Sequence, residues 1–289
     1  MLEETIQSLF SQTYSELNVV VIDDGSTDGT MEMLTEFKVR EPRLAVISNH
    51  ANFGESESVS IGWNKCTEDL VAIVNSDDPQ DPCWLQGMIQ AIQENPGYVL
   101  YYPNRKVIGA KGDFLRYETT LEWNRNRIYQ NLDCIVSAGT IINKSVLPRD
   151  IQIRPHSLGY PSDLLQLLEI AKYGDGLHVS NVFGCWREHE ENLSNLPIGS
   201  ILSERFYQSI IHWFETNKDY VVNAKLKVHI FGHMWKIARK SESHKEAASY
   251  LISKGLMSEV INPKFVLEIG ILVTVRTYRL LKTRILKIG

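Results

Sequence analysis

Two adjacent carboxylates, Asp77 and Asp78, follow the apolar run 70–74 after Asn75 and Ser76. A β-branched run that ends in carboxylates and is followed by prolines is typical of a buried strand that opens into a loop. Hard oxygen ligands of this kind suit Mg²⁺ or Mn²⁺, which usually share their coordination with substrate phosphates. The alternative is that one of the two carboxylates only caps the helix predicted to begin near Pro82.

A second acidic turn follows another β-rich run, 18–22, and begins with Asp23 and Asp24. Parallel strands of an open α/β sheet bring their carboxyl ends to one edge, so both acidic turns are expected to open on the same crevice. A calcium loop beginning at Asp24 is the alternative. Thr35 stands where that loop requires a bidentate Glu, and a strand rather than a helix precedes it.

The elements that must position these carboxylates alternate between strand and helix. This alternation predicts βαβ units and an α/β fold. The predicted helices lie at 2–12, 30–40, 55–66, 82–94 and 160–173, and the predicted strands at 18–22, 44–47, 70–74, 98–102, 134–143 and 177–183.

Length, charge and cysteine content narrow the class of protein. The 289 residues carry a net charge of −5, which gives no reason to expect nucleic acid as a partner. The four cysteines lie far apart, without the short paired spacing of a zinc site, and are interpreted as reduced thiols of a cytoplasmic protein. The chain opens on an acidic amphipathic stretch, so no secretory signal is predicted.

The pattern becomes entirely helical from about residue 200, which predicts a first domain at 1–199 and a helical C-terminal region at 200–289. The last stretch, 263–289, combines apolar residues with arginines and lysines and is interrupted by Glu268. Its apolar run falls short of the ~20 residues needed to span a bilayer. An interfacial amphipathic helix is predicted there, with a helix packed on the protein's own surface as the alternative.

Residues 23–30, with the segment 2–14 before them, closely resemble the start of family 2 glycosyltransferases. Residues 75–78 are similar to that family's metal-binding acidic motif, although Asn75 stands where Asp is common. The resemblance implies the GT-A fold of nucleotide-diphospho-sugar transferases, a Rossmann-like α/β fold in which helices flank a mostly parallel sheet. Weaker matches extend the resemblance to about residues 2–195, through 49–54, 162–163 and 186–189.

One part of the family pattern does not occur in this sequence. Family members usually begin with an apolar strand, which ends in a turn that touches the nucleotide base, before the helix that starts here at Leu2. Either the start has been trimmed or the sheet has lost a central strand, which leaves backbone groups unpaired. The polar and aromatic stretch 103–133 resembles the region that varies with the acceptor, and a surface loop is the alternative.

The resemblance implies a metal site beside a diphosphate. Asp77 and Asp78 match the positions of metal ligands, and His189 lies in a segment similar to one that closes over the diphosphate and adds a ligand. Arg187 of the same segment is expected to contact phosphate. The resemblance implies that the cation, Mn²⁺ or Mg²⁺, stabilises the charge on the leaving diphosphate of a nucleotide-diphosphate sugar. Asp77 is therefore expected to contribute to binding of this sugar donor as well as of the metal.

Four further residues match positions near the nucleotide. Asp23 and Asp24 match contacts to the base and ribose, where a carboxylate accepts hydrogen bonds from N–H and hydroxyl groups. Asp24 has the alternative role of organising an Asx-type turn. Asn52 and Gly54 match a turn beside the nucleotide.

An inverting transfer requires a general base that removes the proton of the acceptor hydroxyl. The family usually takes this base from a Glu-Asp pair at a helix start, and the corresponding pair here is Ser162 and Asp163. Asp163 is therefore the candidate base, with capping of the helix at 163–173 as its alternative role.

Taken together, these features predict a metal-dependent, inverting glycosyltransferase of hexosyltransferase type that acts on a hydroxyl of a glycan or lipid-linked acceptor. The expected setting is surface polysaccharide or glycan assembly in the cytoplasm, at the inner face of the membrane if 263–289 makes peripheral contact with lipid. The alternative is a catalytically silent GT-A module that binds a nucleotide sugar or a protein partner. A phosphatase or kinase is disfavoured, because neither a nucleophile motif nor a Gly-rich phosphate loop occurs.

Overall fold

The structure is a computed structural model that describes residues 1–131, 134, 136, 138–154, 163–190, 192, 209, 213, 216 and 217. The predicted helical region at 200–289 lies almost entirely outside these residues, and the predicted amphipathic segment at 263–289 lies wholly outside them. In the part of the chain that is described, no helix is long and apolar enough to cross a bilayer.

Six α-helices occur in the described residues, and they include the five that the sequence predicts before residue 200. Apolar residues three and four positions apart give the helices a buried side, as Ile6 of the first helix and Trp84 and Met88 of the fourth illustrate. The helices are α1 (Leu2–Phe10), α2 (Thr30–Arg40), α3 (Glu55–Lys65), α4 (Trp84–Glu94), α5 (Arg125–Asn131) and α6 (Asp163–Ile170).

Seven strands of the described chain form two sheets. β1 and β2 pair in parallel, and a second sheet has the order β3-β6-β4-β5, with β7 parallel to β4. The strands are β1 (Val19–Asp23), β2 (Leu44–Ser48), β3 (Leu70–Ala72), β4 (Leu100–Gly109), β5 (Phe114–Glu118), β6 (Ile141–Asn143) and β7 (Gly176–Glu188).

The pairing is more mixed than the sequence predicts. Only the pairs β1–β2 and β4–β7 are parallel, while β6 runs antiparallel to β3 and β4, and β5 runs antiparallel to β4. The reason is topological: β5 returns from β4 through a short hairpin, and β6 lies between β3 and β4 in the opposite direction.

No strand of the described residues joins β1 to β3, so the two sheets are not hydrogen-bonded to each other through backbone. At their starts the two strands are connected by side chains, because Asn18 Nδ2 donates to Glu68 Oε1 over 3.0 Å. The interior of β1 is only half-buried, whereas Tyr101 and Tyr102 of β4 are fully buried. The first acidic turn and the second therefore follow strands of different sheets.

The main core lies between α6 and the larger sheet. Leu164, Leu167 and Leu168 of α6 pack in one buried cluster with Leu100 and Tyr102 of β4. Fully burying a leucine side chain contributes about 1.5–3 kcal/mol, so this contact fixes α6, and with it Asp163, against the sheet.

The stretch 103–133, predicted as an acceptor-dependent region or a surface loop, contains regular structure. β4 continues to Gly109, the chain turns back through β5, and α5 follows. Two of its charges are paired: Arg105 forms an ion pair with Glu118 of β5, and Lys106 Nζ lies 2.6 Å from Asp81 Oδ1. A role in acceptor binding stays a prediction. The predicted strand at 134–143 is also shorter, because only Ile141–Asn143 pairs.

We expect the small sheet to open more readily than the large one. In hydrogen exchange, amides of β1 should exchange faster than those of β4, because β1 is paired on one side and β4 on both. Mass spectrometry of peptides covering 19–23 and 100–109 measures the difference, and α4 serves as a control for exchange limited by global unfolding. Equal protection of the two strands would contradict the division of the sheet.

Candidate active site

The first acidic turn begins with a buried carboxylate. Asp23 ends β1; its Oδ1 accepts a hydrogen bond from Ser26 N over 3.3 Å and its Oδ2 accepts one from Ser48 Oγ over 2.9 Å. Burial by itself would raise the pKa of Asp23, but the hydrogen bonds from Ser26 and Ser48 outweigh it, so the pKa is lowered. Asp23 is therefore held ionised at the carboxyl end of the strand.

Asp24 organises the turn that precedes α3. Its carboxylate accepts hydrogen bonds from Phe53 N and Asn49 Nδ2, each over 2.9 Å, and from Gly54 N over 2.8 Å. Burial would raise the pKa of Asp24, but these bonds lower it. The turn needs glycine at position 54, where φ is +89°, because other residues rarely adopt that conformation.

The backbone of the first acidic turn, at Gly25, lies close to the backbone of the turn that precedes α3, at Ala51 and Asn52. A Cβ on Gly25, where φ is +77°, would lie 2.9 Å from the carbonyl carbon of Ala51, so a larger residue does not fit there. Asn52, the other predicted nucleotide contact of this turn, is exposed. The structure thus brings Asp23, Asp24, Asn52 and Gly54 together as one site.

Asp78 faces the interior. Only 1% of the residue is exposed, and its two carboxylate oxygens accept hydrogen bonds from Arg187 N over 2.7 Å and from Asn75 Nδ2 over 3.0 Å. Burial raises the pKa of Asp78 to about 7, with a further contribution from the charge of Asp77, against the opposing effect of the Arg187 N–H. This geometry does not support the prediction that Asp78 is a metal ligand.

Asp77 and His189 form the accessible pair of the second acidic turn. Asp77 Oδ2 lies 2.8 Å from His189 Nε2, and the side chains are 24% and 13% exposed. Asn192 fixes the histidine backbone, since its Oδ1 accepts a hydrogen bond from His189 N and its Nδ2 donates to Arg187 O over 3.0 Å. The structure brings together these two predicted ligands, which lie 112 residues apart in the chain.

Arg187 holds this turn in place from the inside. Its Nε donates to Asp77 O over 2.7 Å, its Nη1 donates to the backbone oxygens of Gly109 and Ala110, and its Nη2 donates to Glu4 Oε2 over 2.6 Å. The side chain is 1% exposed. Its predicted contact with phosphate stays a prediction, while the observed contacts give it a structural role that the sequence did not indicate.

Asp163 is the first residue of α6, and its orientation is set by an arginine. Arg154 Nη2 donates to Asp163 Oδ1 over 2.7 Å, and the aspartate side chain is 66% exposed. The predicted partner of Asp163 in the family motif, Ser162, lies outside the described residues. Asp163 therefore carries an accessible carboxylate on an element fixed by the core.

Sequence reasoning missed Glu4 and Arg154, which hold predicted site residues in place. One signal was available for Arg154: it directly follows the alternating run Ile151, Gln152 and Ile153, in which the two isoleucines are buried. An arginine continuing a half-buried run requires a charged partner. Glu4 gave no comparable signal, because acidic residues are ordinary in the first turn of a helix.

The donor set of Asp77 and His189 suits a divalent cation, because a carboxylate oxygen and an imidazole nitrogen are both ligands of Mn²⁺ and related ions. Within the described residues no group of three His, Cys, Asp or Glu side chains is placed to hold a metal. The described residues therefore offer two candidate ligands here, and a cation held by them would need further oxygen ligands.

The fold is that of GT-A glycosyltransferases. Residues 1–349 of Staphylococcus aureus TarS in complex with UDP-GlcNAc superimpose with a TM-score of 0.56 at 20% identity, over 85% of this chain and 73% of that one. The mannosyltransferase PcManGT of Pyrobaculum calidifontis, in complex with GDP-Man and Mn²⁺, gives a TM-score of 0.53 at 14% identity, over 91% of this chain and 77% of that one. These likenesses confirm the predicted fold class.

The model of glycosyl transferase family 2 matches residues 1–150, and the chain belongs to this family. An uncharacterised glycosyltransferase of Haemophilus influenzae is 28% identical over 168 residues, which is 56% of this chain. The chain spans 51% of the length of that relative and 39% of the glycosyltransferase GlyG of Streptococcus pneumoniae. This confirms the family that residues 2–195 were found to resemble.

Removing the Glu4 carboxylate should destabilise the protein through Arg187. We expect Glu4→Ala to lower the free energy of unfolding by about 1–2 kcal/mol, because a buried guanidinium loses a charged acceptor while water replaces it only in part. Urea unfolding measures this. Glu3→Ala, in the same helical turn, is the matched control and should change stability by less than about 0.5 kcal/mol. Equal losses in the two variants would show that Glu4 acts only through the helix.

Proposed function

We propose that this protein transfers a sugar from a nucleotide-diphosphate sugar to a hydroxyl acceptor, with inversion and with the help of a divalent cation. The observation that carries the proposal is the Asp77–His189 pair, held at 2.8 Å beside the ends of β3 and β7. Family membership and the GT-A fold support the same class of reaction. Mn²⁺ accompanies GDP-Man in the mannosyltransferase neighbour, which supports that metal as the probe here.

Asp77 and His189 would hold the cation, and Asp78 would support them from the interior. When bound, the cation stabilises the negative charge that develops on the leaving diphosphate. Arg187 keeps the Asp77 backbone in position, so the carboxylate does not have to reorganise as charge develops. Asp78 accepts the Arg187 N–H and thereby fixes the segment that carries His189.

The turn built by Asp23 and Asp24 would bind the nucleoside. Asp23 and Asp24 are held ionised, and their carboxylates can accept hydrogen bonds from a base N–H or from ribose hydroxyls. Asn52 and Gly54 lie in the turn that Asp24 fixes. Since Asp24 already accepts three hydrogen bonds, its contribution is to shape this turn more than to contact the ligand.

Asp163 would act as the general base. Its side chain is 66% exposed, and Arg154 engages the carboxylate through Oδ1. The proton of the acceptor hydroxyl would pass to this carboxylate as the oxygen attacks the sugar carbon on the face opposite the diphosphate. The acceptor is proposed to be a glycan or a lipid-linked glycan, in surface polysaccharide assembly at the cytoplasmic face of a membrane.

Nucleotide binding should depend on Mn²⁺ through Asp77. In calorimetric titrations of UDP and GDP, we expect Mn²⁺ to tighten one of the two by about 10-fold or more, and Asp77→Asn to abolish this gain, because a ligand of the cation is lost. Asp150→Asn, at an exposed position, is the matched control and should keep the metal effect. Equal binding with and without Mn²⁺ in the unaltered protein would remove the metal from the proposal.

Turnover should depend on Asp163 while binding does not. We expect Asp163→Asn to lower the rate of sugar transfer by about 10²–10⁴-fold, which is the usual contribution of a general base, and to leave the affinity for the nucleotide unchanged. Release of UDP from UDP-GlcNAc, or of GDP from GDP-mannose, measures the rate. Retained turnover in this variant would contradict the assignment of the base.

A catalytically silent module that binds a nucleotide sugar is the second candidate. The division between β1–β2 and the larger sheet favours it, because the nucleoside turn and the Asp77–His189 pair are not tied through one sheet. No hydrogen bond between described residues joins the two turns directly. Tight metal-dependent binding of a nucleotide, without turnover of either nucleotide sugar, would establish this alternative.

A further inference from the structure

Arg154 is a buried cation between α3 and α6. Its side chain is 3% exposed, and its three nitrogens have three different acceptors: Nη1 donates to Glu55 Oε1 over 2.6 Å, Nη2 to Asp163 Oδ1 over 2.7 Å, and Nε to Gln166 Oε1 over 3.2 Å. Its backbone is tied to α3 as well, because Ser60 Oγ donates to Arg154 O over 3.4 Å. The guanidinium thus contacts the first residue of each helix, Glu55 of α3 and Asp163 of α6.

The contacts of Arg154 continue a chain of hydrogen bonds that begins in the proposed nucleoside site. Asp24 accepts the N–H groups of Phe53 and Gly54, and Glu55 is the next residue along the backbone. Glu55 accepts the Arg154 guanidinium, which in turn holds Asp163. Four consecutive links therefore connect Asp24 to Asp163: the hydrogen bond from Gly54 N to Asp24, the peptide bond from Gly54 to Glu55, and the two contacts of Arg154. The two aspartates are 139 residues apart in the sequence.

The chemistry of this arrangement constrains where the Asp163 carboxylate lies. A guanidinium is planar, carries its N–H groups in a fixed fork and is always charged, so one cation can orient two carboxylates at once. Without it, Glu55 and Asp163 would be two negative groups with no shared partner, and they would repel each other. The exposed Asp163 would then sample many rotamers instead of one.

We propose that Arg154 is a positioning residue that couples the nucleoside-binding turn to Asp163. Order in the Asp24 turn is transmitted through Glu55 and the guanidinium to the first turn of α6. The inference rests on the proposed function for the role of Asp163 as the base, but the coupling itself is a property of the fold. It makes alignment of the base depend on an intact nucleoside turn.

Turnover tests the consequence for catalysis. We expect Arg154→Met to lower the rate of nucleotide release from UDP-GlcNAc or GDP-mannose by roughly 100-fold, as for a misplaced catalytic group, with the UDP or GDP dissociation constant changed by less than about threefold. Arg154→Lys, which keeps the charge but not the fork, should recover about a tenth of the activity. Arg149→Met, at an exposed arginine, is the matched control and should behave as the unaltered protein.

Hydrogen exchange tests the coupling without any ligand or turnover. Asp24→Asn should speed amide exchange in peptides covering 163–170, and it should have no further effect when combined with Arg154→Met, because the connection is already broken. The α4 peptide, 84–94, is the internal control for a general loss of stability. This double-mutant comparison remains decisive if Arg154→Met is partly destabilised, because the exchange rate of the 163–170 peptide is compared with that of the α4 peptide within each variant.

The outcomes separate the inference from the proposed function. Normal turnover in Arg154→Met when Asp163→Asn loses turnover would overturn the coupling. Faster exchange of α6 in Asp24→Asn, whether residue 154 is Arg or Met, would overturn it as well. Coupled exchange in a protein that turns over neither nucleotide sugar would support the coupling and count against Asp163 as a base. Loss of nucleotide affinity in step with turnover would show that Arg154 only maintains the fold, which also overturns the inference.

Discussion

A buried guanidinium must have its N–H groups satisfied, and the site around Arg187 is built on that requirement. With 1% of its side chain exposed, Arg187 donates to Asp77 O, to the hairpin oxygens of Gly109 and Ala110, and to Glu4 of α1. Removing a partner from such a buried charge is costly, because water replaces it only in part. The requirement therefore ties α1, the acidic turn and the β4–β5 hairpin to one residue of β7.

The backbone of Arg187 separates two adjacent aspartates into different roles, because its N–H bonds to Asp78. Asp78 is turned inward to accept the Arg187 N–H, and burial raises its pKa to about 7. Asp77 is left on the accessible side, within 2.8 Å of His189. Two carboxylates with the same chemistry thus become a structural acceptor and a candidate ligand, and only their environments distinguish them.

Two buried arginines support the two halves of the site in parallel ways. Arg187 aligns the acidic turn that carries Asp77, and Arg154 aligns Asp163 with the turn that precedes α3. The backbone does not provide this alignment between the halves, because β1 and β2 form a sheet of their own. Side-chain contacts, such as that between Asn18 and Glu68, connect what backbone pairing leaves separate.

The sequence by itself determined five of the six described helices, six of the seven described strands and the two acidic turns, because these depend on local periodicity and on turn residues such as Gly25. Through the family resemblance it also selected Asp77 and His189 as candidate ligands, and the structure places these two side chains 2.8 Å apart. Only the tertiary structure decided which aspartate is buried, that 103–118 is a hairpin with paired charges, and that Glu4 and Arg154 position the site. The physical reason is that burial and charge pairing join residues far apart in the chain, and local sequence carries no record of those partners.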